Sequence, residues 1–590
     1  MFKDVNVLET NFKFNKECPL NEYPRPQLKR NSFFNLNGIW QYKIFADTNI
    51  FINYNSNIVV PYPIESKLSG VERRIEAGEK IGYKKEFTFP KGFLKDKTIL
   101  HFGAVDQICD VYFNRNFVFH HEDGYTPFFV DVTRLIKERN EIVVIVYDDL
   151  NKDYPYGKQK VKNGGMWYTP VSGIWQTVWF ESVNYEYIKN VNFTTDIDNQ
   201  EVTVEIEKDT IIEDLEKEFT VYYDSKLVYQ CKTTLDNFKF KLDEVKLWTP
   251  EEPNLYQVII KMGEDEVSSY FGMRKLSIKT INRHKYLCLN NKPYFFHGLL
   301  DQGYYPDGLY TPKSYDVYRY ELTKAKEYGF NTLRKHIKIE PAIWYYLCDT
   351  LGIVVWQDFV NVGEYSFIKD TALPTIGNRK RRLGGYKQSL KAKVNFLIHL
   401  ENVVKSLKVF PSIALWTIFN EGWGQHNTLK YTKKLLNLDN TRFIDSASGW
   451  FYRFNENQLD SVHWYFKKID FSKRKLRKKV GAYRKPLIIS EFGGYSLRIP
   501  NHIFNDDHEY GYKKFTSIDD FNEGFKELYE RDIIGNLDCA LSGCIYTQLT
   551  DVEDETNGIL TYDRKICKLD KDIALEIADK LKSYEIKEER

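Results

Sequence analysis

Two glutamates stand where a charged side chain is least expected. Residues 413–425 read I-A-L-W-T-I-F-N-E-G-W-G-Q, an apolar run of strand length that closes on Asn420-Glu421 and then breaks into glycine and tryptophan. Residues 486–494 read P-L-I-I-S-E-F-G-G, a second such run that closes on Ser490-Glu491, 70 positions further on (491 − 421). A carboxylate at the end of a buried strand is costly unless it is paired or used. Two of them facing each other suit glycoside hydrolysis, in which one carboxyl group protonates the leaving oxygen and the other attacks or assists at the anomeric carbon. Either one alone reads as a polar strand end meeting a helix N-terminus or an arginine; the pair, each on an apolar strand, favours the chemistry. A metal centre would call for more His or Asp at ligand spacing, and a phosphate site for glycine-rich loops before helices.

The elements that must bring these residues together follow from the texture of the chain. After about Leu276, short apolar runs alternate with long helix-like segments. The runs are F-F-H-G-L-L, N-T-L-R-K-H-I, I-V-V-W-Q-D-F, I-A-L-W-T-I-F-N, T-R-F-I-D-S-A, S-V-H-W-Y, P-L-I-I-S-E-F and L-S-G-C-I-Y-T-Q, separated by segments such as D-V-Y-R-Y-E-L-T-K-A-K-E-Y-G. Eight continuously apolar strands alternating with helices predict a (β/α)8 TIM barrel over residues 278–590. The active site of such a barrel gathers at the C-terminal ends of its strands, so the polar residues that close the runs are the informative ones. Upstream, short alternating strands with turn residues between them predict a β-sandwich over residues 1–183, and more highly charged strands predict an immunoglobulin-sized sandwich over 184–277.

Composition narrows the class. Lys+Arg 84 against Asp+Glu 82 gives a net charge of +2 over 590 residues, with no global pull toward nucleic acid or an anionic membrane. The aromatic fraction of 16% suits β-rich packing first and sugar-stacking surfaces second. The eight cysteines form no C-x-x-C pair and read as buried apolar residues of a reducing compartment. The first residues, M-F-K-D-V-N-V-L-E-T, carry no apolar stretch of signal-peptide length, and no later run reaches membrane-span length. The expectation is a cytoplasmic protein with no nucleic-acid or membrane partner.

Beyond these patterns, the chain resembles glycoside hydrolase family 2, the family of β-galactosidases and β-glucuronidases. The likeness runs through L-N-G-I-W at Leu36, P-Y-P-I-E-S-K-L-S-G at Pro61, H-E-D-G-Y-T-P-F at His121 and W-Y-T-P-V-S-G-I-W-Q-T-V-W at Trp167, then through F-N-E-G-W and I-I-S-E-F-G-G. The resemblance implies a jelly-roll sugar-binding domain, an immunoglobulin-like domain and a catalytic barrel. It implies Glu421 as the general acid/base, Glu491 as the nucleophile and Asn420 as the partner of the sugar 2-hydroxyl. Arg334 and His336 of L-R-K-H-I-K resemble the family's pair on the second strand. Tyr465 and His463 of V-H-W-Y are expected near Glu491, and Asp358 of W-Q-D-F closes the third strand. A structural place in the polar floor of the barrel remains open for each of these. Tyr546 and Gln548 stand on the eighth strand where the family often carries a tryptophan platform.

Retention through a covalent glycosyl-enzyme would follow, with carboxyl groups about 5–5.5 Å apart and the pKa of Glu421 the higher of the two. The resemblance implies no organic cofactor, a glycoside or oligosaccharide as substrate, and possible assembly as a homo-oligomer; the metal site of the large β-galactosidases has no convincing equivalent in this sequence, so no metal is expected. The family's N-x-K motif for a sugar carboxylate is represented in E-D-E-T-N-G-I-L-T-Y-D-R-K by Asn557 alone, with Lys335 and Lys338 as alternative cations. The further C-terminal domains of the large β-galactosidases have no counterpart after the eighth strand, so the expectation is a shorter, three-domain hydrolase. Galactose, a uronic acid and a pentose remain open as the sugar. A rival reading is a carbohydrate-binding protein without turnover on the same scaffold, which would have no need of both glutamates.

Overall fold

The computed structural model describes residues 5–46, 49–373, 388–449, 458–465, 467–472, 485–584 and 586. The basic stretch I-G-N-R-K-R-R-L-G-G from Ile376, a candidate for steering an acidic substrate or simply a solvated loop, lies outside them.

The first domain is a sandwich of a four-stranded and a six-stranded antiparallel sheet. Alternation builds it: along Asn140–Tyr147, Ile142, Val144 and Val146 enter the core between the sheets, while Val143 and Ile145 pack on the other face beneath Tyr54. The second domain repeats the plan with sheets of three and four strands around Val202, Val204, Phe219, Val258 and Ile260. Between the strand Asn140–Tyr147 and the bridge at Gly173–Ile174 the first domain throws out a long irregular loop, 148–172. Its side chain Gln159 pins it at both ends, donating to Asp106 Oδ2 and Tyr125 Oη at 3.0 Å each and accepting from the Val171 N–H at 2.6 Å.

Eight parallel strands form the barrel: β1 (Phe296–Asp301), β2 (Thr332–Lys335), β3 (Val354–Asp358), β4 (Ile413–Thr417), β5 (Phe443–Asp445), β6 (Asp460–Trp464), β7 (Leu487–Gly493) and β8 (Leu541–Thr547). All eight coincide with the apolar runs of the sequence, three of them reaching one residue beyond the run, at Asp301, Asp460 and Gly493. Continuous backbone pairing runs from β5 down to β1 and on through β8, β7 and β6. Side chains link β5 and β6 at the remaining gap, where Ser448 Oγ lies 3.4 Å from Ser461 Oγ and 3.0 Å from His463 Nε2.

Six helices pack outside the barrel among the described residues: α1 (Tyr315–Glu327), α2 (Ala342–Leu351), α3 (Leu390–Leu407), α4 (Thr428–Leu438), α5 (Ile518–Asp532) and α6 (Lys571–Lys582). Ser314, Ser389, Ser517 and Asp570 cap four of them by accepting from a backbone N–H of the first turn. The lower barrel interior is apolar, with Phe296, Trp356, Leu415, Ile488 and Ile545 in one cluster, and the hairpin Leu276–Ile281/His284–Leu289 adds Leu287 to it. Gly543 lets its strand lie close to β1 and to the indole of Trp356, because a Cβ there would lie 2.8 Å from the Phe296 carbonyl oxygen and 3.3 Å from Trp356 Cη2. Above this apolar plug, at the C-terminal ends of the strands, the interior turns polar.

Candidate active site

A guanidinium organises the polar layer. Arg334, at the end of β2, is fully buried and spends all five N–H groups. Its Nε and Nη2 donate to Asp358 Oδ1 and Oδ2 at 3.0 Å each, Nη2 also to Asn420 Oδ1 at 2.8 Å, and Nη1 to Glu491 Oε1 at 2.9 Å and the Ser490 carbonyl at 3.0 Å. One side chain thereby ties the ends of β2, β3, β4 and β7. Burial opposes its charge, but Asp358 and Glu491 outweigh burial and hold its pKa above even the usual arginine value. His336 stands behind this network with Nδ1 2.7 Å from Asp358 Oδ2; burial, with Lys158 and Arg334 nearby, keeps its pKa well below the usual histidine value.

The two glutamates meet across this network. One oxygen of Glu421 and one of Glu491 lie within 4.8 Å of each other, and His463 sits against both, its Nδ1 2.9 Å from Glu421 Oε1 and 3.4 Å from Glu491 Oε2. Their surroundings differ. Glu491 takes two strong donors, Arg334 on Oε1 and the Tyr465 hydroxyl on Oε2 at 2.5 Å. Burial pushes the Glu421 carboxyl up to about 7, with Lys158 and Arg334 pulling the other way. Burial and the charge of Glu491 raise the Tyr465 hydroxyl far above the usual tyrosine range, so it stays a donor.

The chain reaches Glu421 by a tight turn. Glu421 has φ +51°, Gly422 +74° and Gly424 +66°, left-handed values that a non-glycine residue keeps only under constraint. The constraint is visible: the Glu421 N–H donates to the Ser448 carbonyl at 3.0 Å, and the Ser448 N–H to the Phe419 carbonyl at 2.8 Å. The apolar strand is thus a rigid mount, locked to its neighbour just where the carboxyl group leaves it.

Of the residues marked in the sequence, Asn420, Glu421, Tyr465 and Glu491 line the pocket, while Arg334, His336, Asp358 and His463 support it from beneath. Tyr546 does neither. Its ring faces out of the barrel, 4.9 Å from Phe525 of α5 and 5.8 Å from Phe492, because side chains alternate along a strand and Thr547 takes the inward place. Lys335 and Lys338 also point away from the pocket. Lys335 is paired with Asp301 at 2.6 Å and Glu340 at 2.8 Å, and Lys338 with Glu340 at 2.8 Å.

Other walls come from places that strand ends do not mark. The first-domain loop brings Lys158, Met166 and Trp167 over the barrel mouth, and the Trp167 ring lies 5.2 Å from Trp423 and 4.9 Å from Tyr365. The rest of the motif that begins at Trp167 packs on the barrel, Tyr168 against Tyr304 at 4.8 Å and Trp175 against Tyr310 at 5.1 Å. The segment is therefore both pocket wall and domain contact. Tyr512, stacked on Tyr465 at 3.9 Å, and Glu555 and Asn557 after β8 complete the enclosure. Of these, the sequence pointed to Trp167 and Asn557 through the family motifs that contain them, and to Lys158, Met166, Tyr512 and Glu555 through none.

Glu421, His463 and Glu491 are the one group of three potential metal ligands among the described residues. The Arg334 guanidinium on Glu491 would oppose a cation there, so the donor set suits proton exchange between carboxyl groups better than metal binding.

Residues 26–184 match the sugar binding domain of glycosyl hydrolases family 2, residues 186–274 a second domain of that family, and residues 281–569 its TIM barrel domain. A β-galactosidase of Thermoanaerobacter pseudethanolicus is 28% identical over 411 residues, covering 65% of this chain and 50% of the relative. One from Clostridium acetobutylicum is 23% identical over 378 residues, 60% of this chain and 39% of the relative. The chain spans about half or less of the length of these curated relatives. The structure of a β-D-glucuronidase of Dictyoglomus thermophilum superposes with TM-score 0.74 at 20% identity, over 96% of this chain and all of that one (100%). A β-glucuronidase of an uncultured Clostridium sp. does so with TM-score 0.72 at 19% identity, over 94% and 99%. With three consecutive family domains matched along its length, the chain belongs to glycosyl hydrolases family 2.

Proposed function

We propose that the chain is an exo-acting, retaining β-glycosidase of the β-galactosidase-like kind, with a terminal β-linked sugar held in the pocket over Glu421 and Glu491. The observation that carries the reading is the carboxyl pair itself, oxygens within 4.8 Å and in unequal surroundings. Oxygens that close favour the about 5–5.5 Å carboxyl separation of double displacement over the about 6.5–9.5 Å that leaves room for an inverting water.

In the first step Glu491 Oε attacks the anomeric carbon, the bond from that carbon to the glycosidic oxygen breaks, and the Glu421 proton passes to the departing oxygen. In the second, Glu421 takes a proton from water, the hydroxide oxygen bonds to the anomeric carbon, and Glu491 leaves as carboxylate. Asn420, oriented by Arg334, would hold the 2-hydroxyl, and Tyr465 would release its hydrogen bond as Glu491 is alkylated. The names of the curated relatives support a galactoside; a β-glucuronidase or galacturonidase is the alternative, since the solved relatives carry that name.

A cytoplasmic setting belongs to the same reading, supported by eight cysteines that form no disulfide; in addition, no helix among the described residues is long and apolar enough to cross a membrane. Homo-oligomer formation is part of it by family likeness alone, and sedimentation reads it directly. The central experiment is hydrolysis of a panel of p-nitrophenyl β-glycosides, with Glu491→Gln as control. Turnover of one sugar that the control abolishes is the expected result. Silence across the panel with retained sugar binding would make the chain a binding protein instead.

A further inference from the structure

Three polar groups of the pocket are not used by the carboxyl chemistry, and they come from two different parts of the chain. Glu555 and Asn557 lie in the loop after β8, which is folded back on the strand by Gln548 N–H to the Asn557 carbonyl at 3.0 Å and Ile559 N–H to the Gln548 carbonyl at 2.9 Å. The Gln548 side chain sets their orientation, its Nε2 donating to Glu555 Oε2 and to Asn557 Oδ1 at 2.7 Å each. With Oδ1 occupied, Asn557 offers its Nδ2, and that donor is buried in the pocket wall without a hydrogen-bond partner, on a residue only 1% exposed. Lys158 comes from the first-domain loop. Among the described residues no hydrogen bond or ion pair holds its ammonium group, although it is close enough to Glu421 and Glu555 to oppose part of the rise that burial gives the pKa of each.

A buried amide donor and a half-buried ammonium without partners are costly to leave unmet, so they mark what a ligand brings: oxygen atoms that accept. Beside them Glu555 offers the opposite, a carboxyl group whose oxygens accept, its pKa raised by burial and pulled back by Lys158. A hydroxyl group serves both sides at once, accepting from Lys158 or Asn557 while donating to Glu555. A carboxylate serves one side only. It would accept from the donors but would lie against Glu555, in a pocket that already contains the Glu491 carboxylate.

We propose that Lys158, Asn557 and Glu555 form a hydroxyl clamp that makes this pocket select neutral sugar rings and reject uronic acids. The inference rests on the glycosidase reading for its turnover assay and on the pocket alone for its binding assay. These three side chains are specificity determinants, contributed jointly by the first domain and the barrel.

The test compares the full-length chain on p-nitrophenyl β-galactoside and β-glucoside against the β-glucuronide and β-galacturonide. In parallel, the thermal shift of the Glu491→Gln chain is read with free galactose, glucose, glucuronate and galacturonate. The expected result is kcat/KM for the best neutral substrate about 100-fold or more above either uronide. Glu555→Gln is expected to narrow that ratio at least about 10-fold, and Asn557→Asp, which adds a charge to the wall, to widen it. Lys158→Met is expected to raise KM for the neutral sugar and to move the alkaline limb of the pH profile upward, because the ammonium no longer favours ionised Glu421; a purely structural lysine would leave that limb in place.

Preference for a uronide, or a ratio that neither wall variant moves, overturns the clamp and leaves the glycosidase standing. No turnover, but a thermal shift with neutral sugars and none with uronates, keeps the clamp and overturns the glycosidase. No turnover and no shift with any sugar overturns both.

Discussion

Between pH 4.5 and about 7 the Glu421 carboxyl keeps a proton in the folded chain that it would release in the unfolded one. The folded state binds more protons in that window, so this group's contribution to stability falls as pH rises through it, by up to about 3 kcal/mol in all. Glu421→Gln removes the buried charge and should be more stable than the native chain at pH 8, by about 1–3 kcal/mol, with the gain vanishing near the ordinary carboxyl pKa. Urea unfolding at the two pH values measures it. The same titration predicts that turnover declines above pH about 7 as Glu421 loses the proton it must donate. Glu421→Gln should slow substrates with poor leaving groups by about 100- to 10,000-fold. It should slow p-nitrophenyl glycosides far less in the first step, because p-nitrophenolate departs without a proton. Arg334 gives a contrasting case: Arg334→Met strips the shared partner from Asp358, Asn420 and Glu491 and should cost about 3–5 kcal/mol of stability along with activity.

At the scale of the element, the turn after β4 is tightly constrained. A Cβ on Gly424 would lie 2.1 Å from the Val362 carbonyl oxygen, and φ there is +66°. Gly424→Ala should therefore lower the unfolding free energy by about 1–3 kcal/mol, with a lower thermal midpoint, and turnover should fall with it, as calorimetry and initial rates on one preparation would show. The eight strands were legible because parallel barrel strands are buried on both faces and read as unbroken apolar runs, so their polar closers stand out. Asp358, Asn420, Glu421 and Glu491 stand out that way, while Arg334 was marked by the family likeness of L-R-K-H-I-K. Tyr546 shows the limit of the rule: its inward neighbour Thr547 differs from it by one position, and a run that is apolar on both sides does not say which way a given residue faces. Trp423, Tyr512 and Lys158 were not marked as site residues because each enters from a loop whose path depends on distant contacts.

Those distant contacts belong to the whole molecule. The first-domain loop is clasped to the barrel by Glu553, which accepts from Asn163 Nδ2 at 2.8 Å and from the Thr169 N–H at 2.9 Å. Asp123 and His399 meet at 2.9 Å in a second buried contact between the same bodies. Glu553→Ala should free the loop: limited proteolysis should cut near residues 158–167 more readily, and KM should rise while kcat changes little, since no group on the carboxyl pair is touched. The likeness of each domain to its family model could not reveal this arrangement, because local pattern carries no information about which loop roofs which mouth. The roofing loop has one more consequence, for how such a chain can change over generations. Its sugar preference is written partly in one domain and partly in another, so an exchange of first domains between relatives would transplant half of a recognition surface. Such a chimera would fold and still read the wrong sugar, or none. Specificity here is inherited by the domain pair, and the two must diverge together.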